Sequence, residues 1–142
     1  MPLLSRKTLL TIAAVIDIAL HARNQLVSAK DLAARHNLPA RHLEPMLQVL
    51  VRQGILKGVR GPRGGYELAR ERRRITVDDI VKAAHSIEDD SANTLPASRL
   101  LKQVVVPAVA QAEKAFATAL GRITIEDLVR RSESSDDSIA ES

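Results

Sequence analysis

The stretch that most constrains the fold is residues 28–68, SAKDLAARHNLPARHLEPMLQVLVRQGILKGVRGPRGGYEL. Ser28 is placed to cap a short helix over residues 29–36. That helix ends before Pro39, because the residue preceding a proline disfavours the helical conformation. A second helix starts at Pro39 or the next residue and runs to about Gln53, with apolar side chains at three- and four-residue spacing. Two short helices across a tight turn predict a helix-turn-helix.

A glycine-rich basic hairpin follows the second helix. Gly54 ends that helix, residues 55–57 read as a strand, and residues 66–68 read as its return strand. The tip between them, GVRGPRGG, has four glycines and a proline, which let the backbone turn sharply and approach another surface closely. The predicted fold class is therefore mainly α with a small β-hairpin wing, a winged helix-turn-helix.

The polar residues left outside the apolar stripe of the second helix fit a DNA major groove. Arginine reads guanine through two hydrogen bonds and glutamate accepts from cytosine, so Arg41 and Glu44 are candidates. Taken alone, these side chains equally fit the ordinary surface of a small helical domain. The wing favours DNA, because Arg60 and Arg63 on a thin loop suit a narrow minor groove. A nucleotide-binding glycine loop is the rival interpretation, and it fails because no Lys-Ser/Thr follows the glycines.

The charge is distributed unevenly along the chain. The formal net charge is +4, but residues 1–75 contain 14 Lys and Arg against 5 Asp and Glu, whereas residues 76–142 contain 7 against 12. A basic first half suits a polyanion and an acidic second half suits another role. Chance clustering of solvated charges is the alternative.

Composition excludes several other classes of function. The chain has no cysteine, which rules out disulfides, thiolate metal ligands and thiol redox switches. Aromatic residues make up 1% of the sequence, too few for a platform on which single-stranded nucleic acid could stack. No apolar run approaches the ~20 residues of a membrane span, and no secretory signal pattern is present. We expect a cytoplasmic protein without a membrane partner, associated with the nucleoid when bound to DNA.

Further helices flank residues 28–68. Periodicity predicts helices over residues 5–22, 77–86 and 96–120, and a last short turn after Thr124. Asp17 is assigned to the outer face of the first of these helices. Pro107 is expected to kink or split the third, and both possibilities stay open. The predicted organisation is a DNA-binding domain over residues 1–86, a loop and dimerisation helix over 87–131, and a disordered acidic tail over 132–142.

The order of these motifs resembles a known family. VSAKDLAARHNLPARHLEPMLQVLVRQGILKGVRGPRGGYELAR followed by ITVDDIVKAA is similar to the Rrf-two (Rrf2) family of bacterial regulators, over roughly residues 5–128. The wing sequence followed by ITVDDI is the specific part of the likeness. The resemblance implies a homodimer that binds double-stranded operator DNA and usually represses transcription. It further implies that Glu44 reads base edges and that Arg60 enters the minor groove. His42 stands where many members have tyrosine.

Motif reasoning and the resemblance together give two sets of candidate residues. The predicted DNA-binding positions are Ser5, Lys7, Ser28, Ala40, Arg41, His42, Glu44, Gln48, Lys57, Arg60, Gly61, Pro62, Arg63 and Gly64. The wide apolar face of the helix over residues 96–120 asks for a partner helix, the same helix of a second subunit. The predicted dimer-interface residues are Leu101, Val105, Val109, Ala112, Phe116 and Leu120. Folding of this helix back onto its own domain is the alternative.

The sequence departs from the family where many members hold an iron–sulfur cluster on three cysteines. The corresponding stretch, IEDDSANTLPASRLLKQVVV, contains no thiolate, so that role is not carried over and no cofactor is predicted. His85, Glu88, Asp89 and Asp90 are a weak candidate for a hard metal, more simply explained as a solvated loop, and no metal site is predicted. The signal stays open between a small-molecule effector in the dimer groove, a metal, a protein partner and no signal at all.

Two other classes of function are possible in principle. A winged helix that docks on another protein is the alternative to a DNA-binding regulator, but such a module has no need of the basic wing. Catalysis is not expected, because the sequence offers no nucleophile–base pair, no metal-ligand spacing and no nucleotide loop.

Overall fold

The protein is described here by a computed structural model, which places the backbone of residues 4–21, 26–88 and 98–140 and the side chains of 4–21, 26–86 and 98–134. This part of the chain folds into a mainly helical winged helix-turn-helix, as the sequence predicts. Its helices are α1 (Arg6–His21), α2 (Ala29–His36), α3 (Ala40–Arg52), α4 (Val77–Glu88), α5 (Val106–Leu120) and α6 (Ile125–Ala140). The hairpin strands are β1 (Leu56–Val59) and β2 (Gly65–Leu68), and a 3₁₀ turn (Arg72–Arg74) precedes α4.

One aliphatic core holds these elements together. Ile18 of α1, Leu47 of α3, Ile80 of α4 and Ile125 of α6 are all fully buried in a single cluster. Such a core follows from a composition with 45% hydrophobic but only 1% aromatic residues. Helix α4 packs on both α1 and α3, so the core fixes how the helix-turn-helix is presented.

The wing is anchored at its base by a third extended segment. Strands β1 and β2 pair antiparallel, and Val27 adds a bridge to Tyr66, with N–H···O distances of 2.7 and 3.2 Å. A Cβ added to Gly65 would lie 2.8 Å from the backbone of Val27, which explains why glycine stands there. The hairpin is therefore tied to the segment that leads into α2.

The long helix is not split at Pro107. The backbone is helical without interruption from Arg99 to Leu120, and a π-helical turn over Leu101–Val105 runs directly into α5. Within this turn the amide of Val106 donates to the carbonyl of Leu101, five residues earlier. The widened turn makes room for a proline, which has no N–H and would otherwise clash with the preceding turn. The predicted start of this helix at residues 96–97 lies outside the described residues.

Two threonine caps join the starts of α4 and α6. Thr76 caps α4 through reciprocal hydrogen bonds with Asp79, and Thr124 caps α6 in the same way with Asp127. In each pair the two hydrogen bonds measure 3.0 and 3.1 Å. The flanking backbones also pair, since the amide of Ile125 donates to the carbonyl of Ile75 at 2.8 Å. Both predicted caps are confirmed.

The second capped helix is longer than the sequence suggested. A short last turn and a disordered tail from residue 132 were predicted, whereas α6 continues to Ala140. The capping box at Thr124 and the buried side chains of Ile125 and Val129 supply the costly helix nucleus, after which each added residue gains a hydrogen bond. Low hydrophobicity of the tail therefore did not prevent helix formation. Residues 141–142 lie outside the described part.

Candidate nucleic-acid interface

Helix α2 is closed at both ends by local hydrogen bonds. Ser28 Oγ accepts from the amide of Asp31 at 3.1 Å, and the Asp31 carboxylate accepts from the amide of Ser28 at 3.2 Å. The backbone hydrogen bond from Ser28, followed by the one from its side chain, lowers the pKa of Asp31. At the other end Asn37 adopts the left-handed conformation, φ 53°. The turn into the next helix is thereby fixed.

Helix α3 presents one polar face to solvent. Arg41, Glu44, Gln48 and Arg52 are exposed at helical spacing, while the opposite stripe, which includes Leu43 and Leu47, is buried. No side chain caps the N-terminus of α3, where Pro39 precedes Ala40. Its first amides and the positive end of its dipole are therefore available to an anion.

The tip of the wing depends on two glycines. Gly61 has φ 121°, a conformation that other residues rarely adopt. The amide of Gly64 donates to the carbonyl of Gly61 at 2.9 Å, and a Cβ on Gly64 would collide with the carbonyl oxygen of Val59. Between them Pro62 and Arg63 are exposed, as is Arg60 at the start of the tip.

A cavity of about 560 Å³ separates α3 from the wing, and we call it the wing groove. Its lining brings together residues that are far apart in the sequence and were predicted to bind DNA. They are Ser28 at the start of α2, Gln48 of α3, and Arg60, Gly61 and Gly64 of the wing. One surface thus combines the helix face and the hairpin.

A second cavity, of about 680 Å³, lies between the start of α1 and the start of α3, and we call it the basic cleft. It brings the predicted residues Lys7, Arg41 and His42 together and adds Arg6. Ser5 lies next to this cleft as the cap of α1, its Oγ accepting from the amide of Thr8 at 3.2 Å. Helix α3 lines part of both cavities.

Lys57 is the predicted site residue that the fold sets apart. It is paired in register with Glu67, one position along the strands from the Gly58–Tyr66 pair. Because side chains alternate along a strand, Lys57 points to the opposite face of the hairpin from Tyr66, which lines the wing groove. Lys57 therefore lies opposite Glu67 on the neighbouring strand, whereas Arg60 and Arg63 lie at the exposed tip of the wing.

Four basic side chains of the candidate surface form no ion pair with a described residue. Within the described residues, Lys7, Arg41, Arg60 and Arg63 have no carboxylate within 4.0 Å, although other basic side chains such as Arg72, which pairs with Glu126, do. Positive charge on this face is therefore available to an anionic partner.

Sequence reasoning missed a buried charge cluster behind this surface. Asp17, assigned to the outer face of α1, is only 7% exposed. Arg35 donates to both its carboxylate oxygens, at 2.6 and 2.9 Å, and His36 Nε2 lies 3.0 Å from one of them. His21 Nδ1 lies 3.2 Å from the other. The outer-face assignment was wrong, because the side chains of Arg35 and His36 at the end of α2 reach Asp17.

The environment of Asp17 sets its ionisation. Burial by itself raises the pKa of this carboxyl, but the hydrogen bonds and charge of Arg35, with smaller contributions from His36 and His21, outweigh burial and hold the pKa below its ordinary value. The cluster therefore joins α1 to α2 through an ionised carboxylate. An aspartate inside an apolar stretch, with histidine four residues later, was the only sequence signal of it.

The long helix exposes an apolar surface. Val105 and Val109 of the predicted dimer set are 42% and 48% exposed, and Leu100 and Val104 reach 67% and 56%. Leu101 and Phe116 are half-buried, and Ala112 is exposed. Leu120 is buried in the core of its own chain, where α5 meets α4, so this predicted contact residue is not presented to a partner.

Metal ligation finds no support in the described residues, which contain no group of three or more His, Asp or Glu side chains placed to hold an ion. Of the weak candidate cluster, Asp89 and Asp90 and the side chain of Glu88 lie outside that part of the chain. Within the same described residues, no helix is long and apolar enough to cross a membrane.

Comparison with known proteins identifies the family. The model of the Rrf2 family, described as an iron-dependent transcriptional regulator, matches residues 4–131. The Rrf2 protein of Nitratidesulfovibrio vulgaris is 32% identical over 121 residues, which cover 82% of this chain and 79% of that protein. The structure of IscR from T. potens is similar with a TM-score of 0.71 and 31% identity, over 93% of this chain and 89% of the other.

A second solved structure shows the same fold. CymR, the global cysteine regulator of B. subtilis, is similar with a TM-score of 0.68 and 27% identity, over 92% of this chain and 98% of the other. These relatives are transcriptional regulators and not enzymes.

The iron in the family description can be tested against the donors that this chain offers. Iron–sulfur clusters are held by cysteine thiolates, and the sequence contains no cysteine. The residues present therefore do not fit a thiolate-bound cluster. What the chain does share with its relatives is the winged helix-turn-helix fold. The protein belongs to the Rrf2 family of DNA-binding transcription regulators.

Proposed function

We propose that this protein is a homodimeric repressor that binds a pseudo-palindromic operator and does not sense its signal through an iron–sulfur cluster. The observation that carries the proposal is the wing groove, where the exposed face of α3 and the arginine-bearing wing line one continuous surface. A helix fits the major groove of B-DNA, and a thin basic hairpin fits the adjacent minor groove.

The exposed face of α3 supplies the base contacts. Arg41 is suited to guanine and Glu44 to the amino group of cytosine, and Gln48 one turn later can pair with adenine. These three side chains are exposed along one face of a rigid, core-packed helix, so their spacing is preset. We assign sequence preference to them.

The wing supplies the flanking contacts. Arg60 is the residue that enters the minor groove, with Arg63 and Pro62 beside it at the tip, because narrow minor grooves concentrate negative potential. Gly61 and Gly64 keep the tip thin. Lys57 lies on the other face of the hairpin, where it contributes to the positive electrostatic potential of the wing and contacts no base.

Phosphate contacts position the protein along the duplex. Lys7 and His42 in the basic cleft and the backbone amide of Ala40 at the uncapped start of α3 suit phosphate oxygens. Ser5 and Ser28, which cap α1 and α2, extend the same line of donors. Such contacts make affinity strongly salt-dependent.

A homodimer follows from the apolar surface of the long helix. Val104, Val105 and Val109 expose 40–60% of their surface, an arrangement that a second copy of the helix would cover. Leu101, Ala112 and Phe116 extend this interface, and Leu120 is omitted because its own chain buries it. Two-fold symmetry then requires an operator with two related half-sites.

Repression follows from occupancy of the operator by such a dimer in the cytoplasm, with the protein held at the nucleoid when DNA is bound. Without thiolates the signal reaches the protein through a small molecule or a protein partner. The reaction to the signal is a change in DNA affinity.

The test compares two arginine variants on DNA recovered by in vitro selection with the purified protein. Arg60→Ala is expected to lower specific affinity by about 1–3 kcal/mol, measured by fluorescence anisotropy at fixed salt. Arg122→Ala is the matched control, since Arg122 is also exposed but lies in the turn after α5, outside α3 and the wing. Equal loss in both variants would contradict the wing contact. Failure to select any sequence would favour a winged helix that docks on a protein.

A further inference from the structure

The basic cleft has a floor that DNA contact does not use. Its cations lie at the rim, whereas Leu10, Leu38, Leu43 and Met46 line its interior. Leu43 and Met46 are buried, while Leu10 and Leu38 are half-buried and still face the cavity. A phosphodiester interacts with cations and amides and gains nothing from an apolar surface. The floor is therefore suited to a different ligand.

The charge around this floor has one sign. Arg6, Lys7 and Arg41 line the cleft, and no acidic side chain does. None of these three cations forms an ion pair with another described residue. His42 adds a fourth nitrogen donor at the rim. An anionic group placed there gains the attraction of several charges without breaking an existing pair.

Apolar interior and cationic rim together define an amphipathic anion. We propose that the basic cleft binds a small carboxylate with an aliphatic or aromatic body of roughly six to ten carbons, a size suited to a site of this volume. The carboxylate lies against Arg41 and Lys7, and the body lies on Leu10 and Leu38. Binding removes apolar surface of both partners from water.

Such a ligand competes with DNA. Lys7 and Arg41 are also the residues proposed to contact the operator, so one set of cations cannot hold both anions at once. The regulatory consequence, but not the ligand site itself, rests on the proposed DNA-binding function. Ligand binding then lowers operator affinity by mass action, and DNA lowers ligand affinity by the same factor.

Octanoate is the probe, titrated into the full-length protein by isothermal calorimetry. We expect saturable binding with a Kd of about 1 mM or tighter. Acetate lacks the body and octanamide lacks the charge, and both are expected to bind at least about tenfold more weakly. At octanoate tenfold above its Kd, the apparent Kd for the operator should rise about elevenfold for each cleft that contacts the operator, and so about 120-fold for a dimer that uses both clefts.

Three variants separate the two halves of the cleft. Arg41→Gln should weaken octanoate about tenfold, and Leu10→Ala about fivefold while leaving operator affinity unchanged. Leu38→Ala is a second apolar variant, and because Leu10 and Leu38 both pack against the core as well, thermal melts check the fold of each variant. Arg52→Gln, at the opposite end of α3, is the control and should leave octanoate binding unaltered.

The outcomes distinguish the ligand site from the proposed function. No octanoate binding at about 10 mM, or binding that all the variants leave unchanged, overturns the cleft as a ligand site even when the protein binds its operator. Octanoate binding that does not weaken operator binding overturns the effector role. Failure to bind any operator bears on the proposed function alone, since the calorimetric result stands without DNA.

Discussion

Replacement of Asp17 by asparagine tests the buried charge cluster that joins α1 to α2. Asparagine keeps the shape but removes the charge and one of the two acceptor oxygens that Arg35 now uses, at 2.6 and 2.9 Å. Its amide nitrogen would then face another donor, either Arg35 or His36. The variant therefore loses charge-assisted hydrogen bonds and gains a donor facing a donor in a buried place.

The magnitude follows from these losses. A hydrogen bond to a charged group contributes about 1.5–3 kcal/mol, and an unsatisfied buried polar group costs about 1–3 kcal/mol. Arg35 is 36% exposed, so solvent screens part of its interaction with Asp17. The hydrogen-bond contribution therefore lies in the lower part of the range of about 1.5–3 kcal/mol. We expect a loss of about 2–3 kcal/mol in the free energy of unfolding, which lowers Tm by roughly 10 °C in a chain of this size.

The dependence on pH has a definite sign. The folded-state pKa of Asp17 is lower than its ordinary value. Its stabilisation is therefore fully present above the ordinary carboxyl pKa of about 4 and is lost as the pH falls through the lower folded-state value. The difference in stability between wild type and Asp17→Asn should therefore shrink as the pH falls below about 4.

The measurement is a series of circular dichroism melts from about pH 2.5 to about pH 8, a range that spans the ordinary carboxyl pKa of about 4. All melts use one protein concentration, because association of subunits makes Tm depend on concentration. Asp78→Asn is the matched control. Asp78 pairs with Lys82 at 3.0 Å four residues along α4, a pair of the kind that contributes about 0.3–0.5 kcal/mol. If Asp17→Asn were no less stable than Asp78→Asn, or if its deficit persisted unchanged at the lowest pH, the reasoning would fail.

The wing tip, the recognition helix and the long helix each carry a further expected outcome. Gly64→Ala brings a Cβ against the Val59 carbonyl, so operator affinity measured by anisotropy should fall while the melting curve stays near wild type; an unchanged affinity would refute the need for glycine. Glu44→Ala should relax preference at one base pair by about 1–3 kcal/mol, read from base-substituted operators, and a uniform loss on all operators would argue for a phosphate contact instead. Val109→Asp should shift the sedimentation coefficient from dimer to monomer, whereas Thr118→Asp on the same helix should not; identical coefficients would contradict the proposed interface.

Local sequence signals predicted the helix-turn-helix closely. Helix α2 has the predicted bounds, because the Ser28 cap and the proline after the turn act within a few residues of the ends they define. The wing was also placed by its glycines, although the strands extend to Val59 and begin at Gly65, one or two residues closer to the tip than predicted. Such features are encoded by neighbours in the sequence.

Tertiary packing decided the features that the sequence did not reveal. Asp17 and Arg35 are 18 residues apart, and only the tertiary fold brings their side chains together. The tertiary fold also brings His36 of α2 to this carboxylate, which His21 approaches from four residues along α1 itself. The sequence groups Lys57 with the wing arginines as a predicted DNA contact. The strand register places Lys57 opposite Glu67, and this register cannot be read from composition.

Hydrophobicity was an incomplete guide in the C-terminal half. Pro107 left both a kink and a split of the long helix open, and the helix is not split because a π-helical turn precedes the proline, a change of hydrogen-bond pattern that leaves no trace in apolar periodicity. Leu120 continued the apolar stripe of the long helix, yet its position beside α4 gives it to the core. Periodicity identified the apolar face without telling which of its residues meet the same chain.

Hydroxyl-radical footprinting of the selected operator across a salt series tests the central claim most directly, namely that α3 and the wing of two subunits read a symmetric site. The account predicts two-fold symmetric protection, with minor-groove protection at the outer edges that disappears in Arg60→Ala, and steep weakening as salt rises. Protection without two-fold symmetry, or outer protection that Arg60→Ala leaves intact, would contradict it.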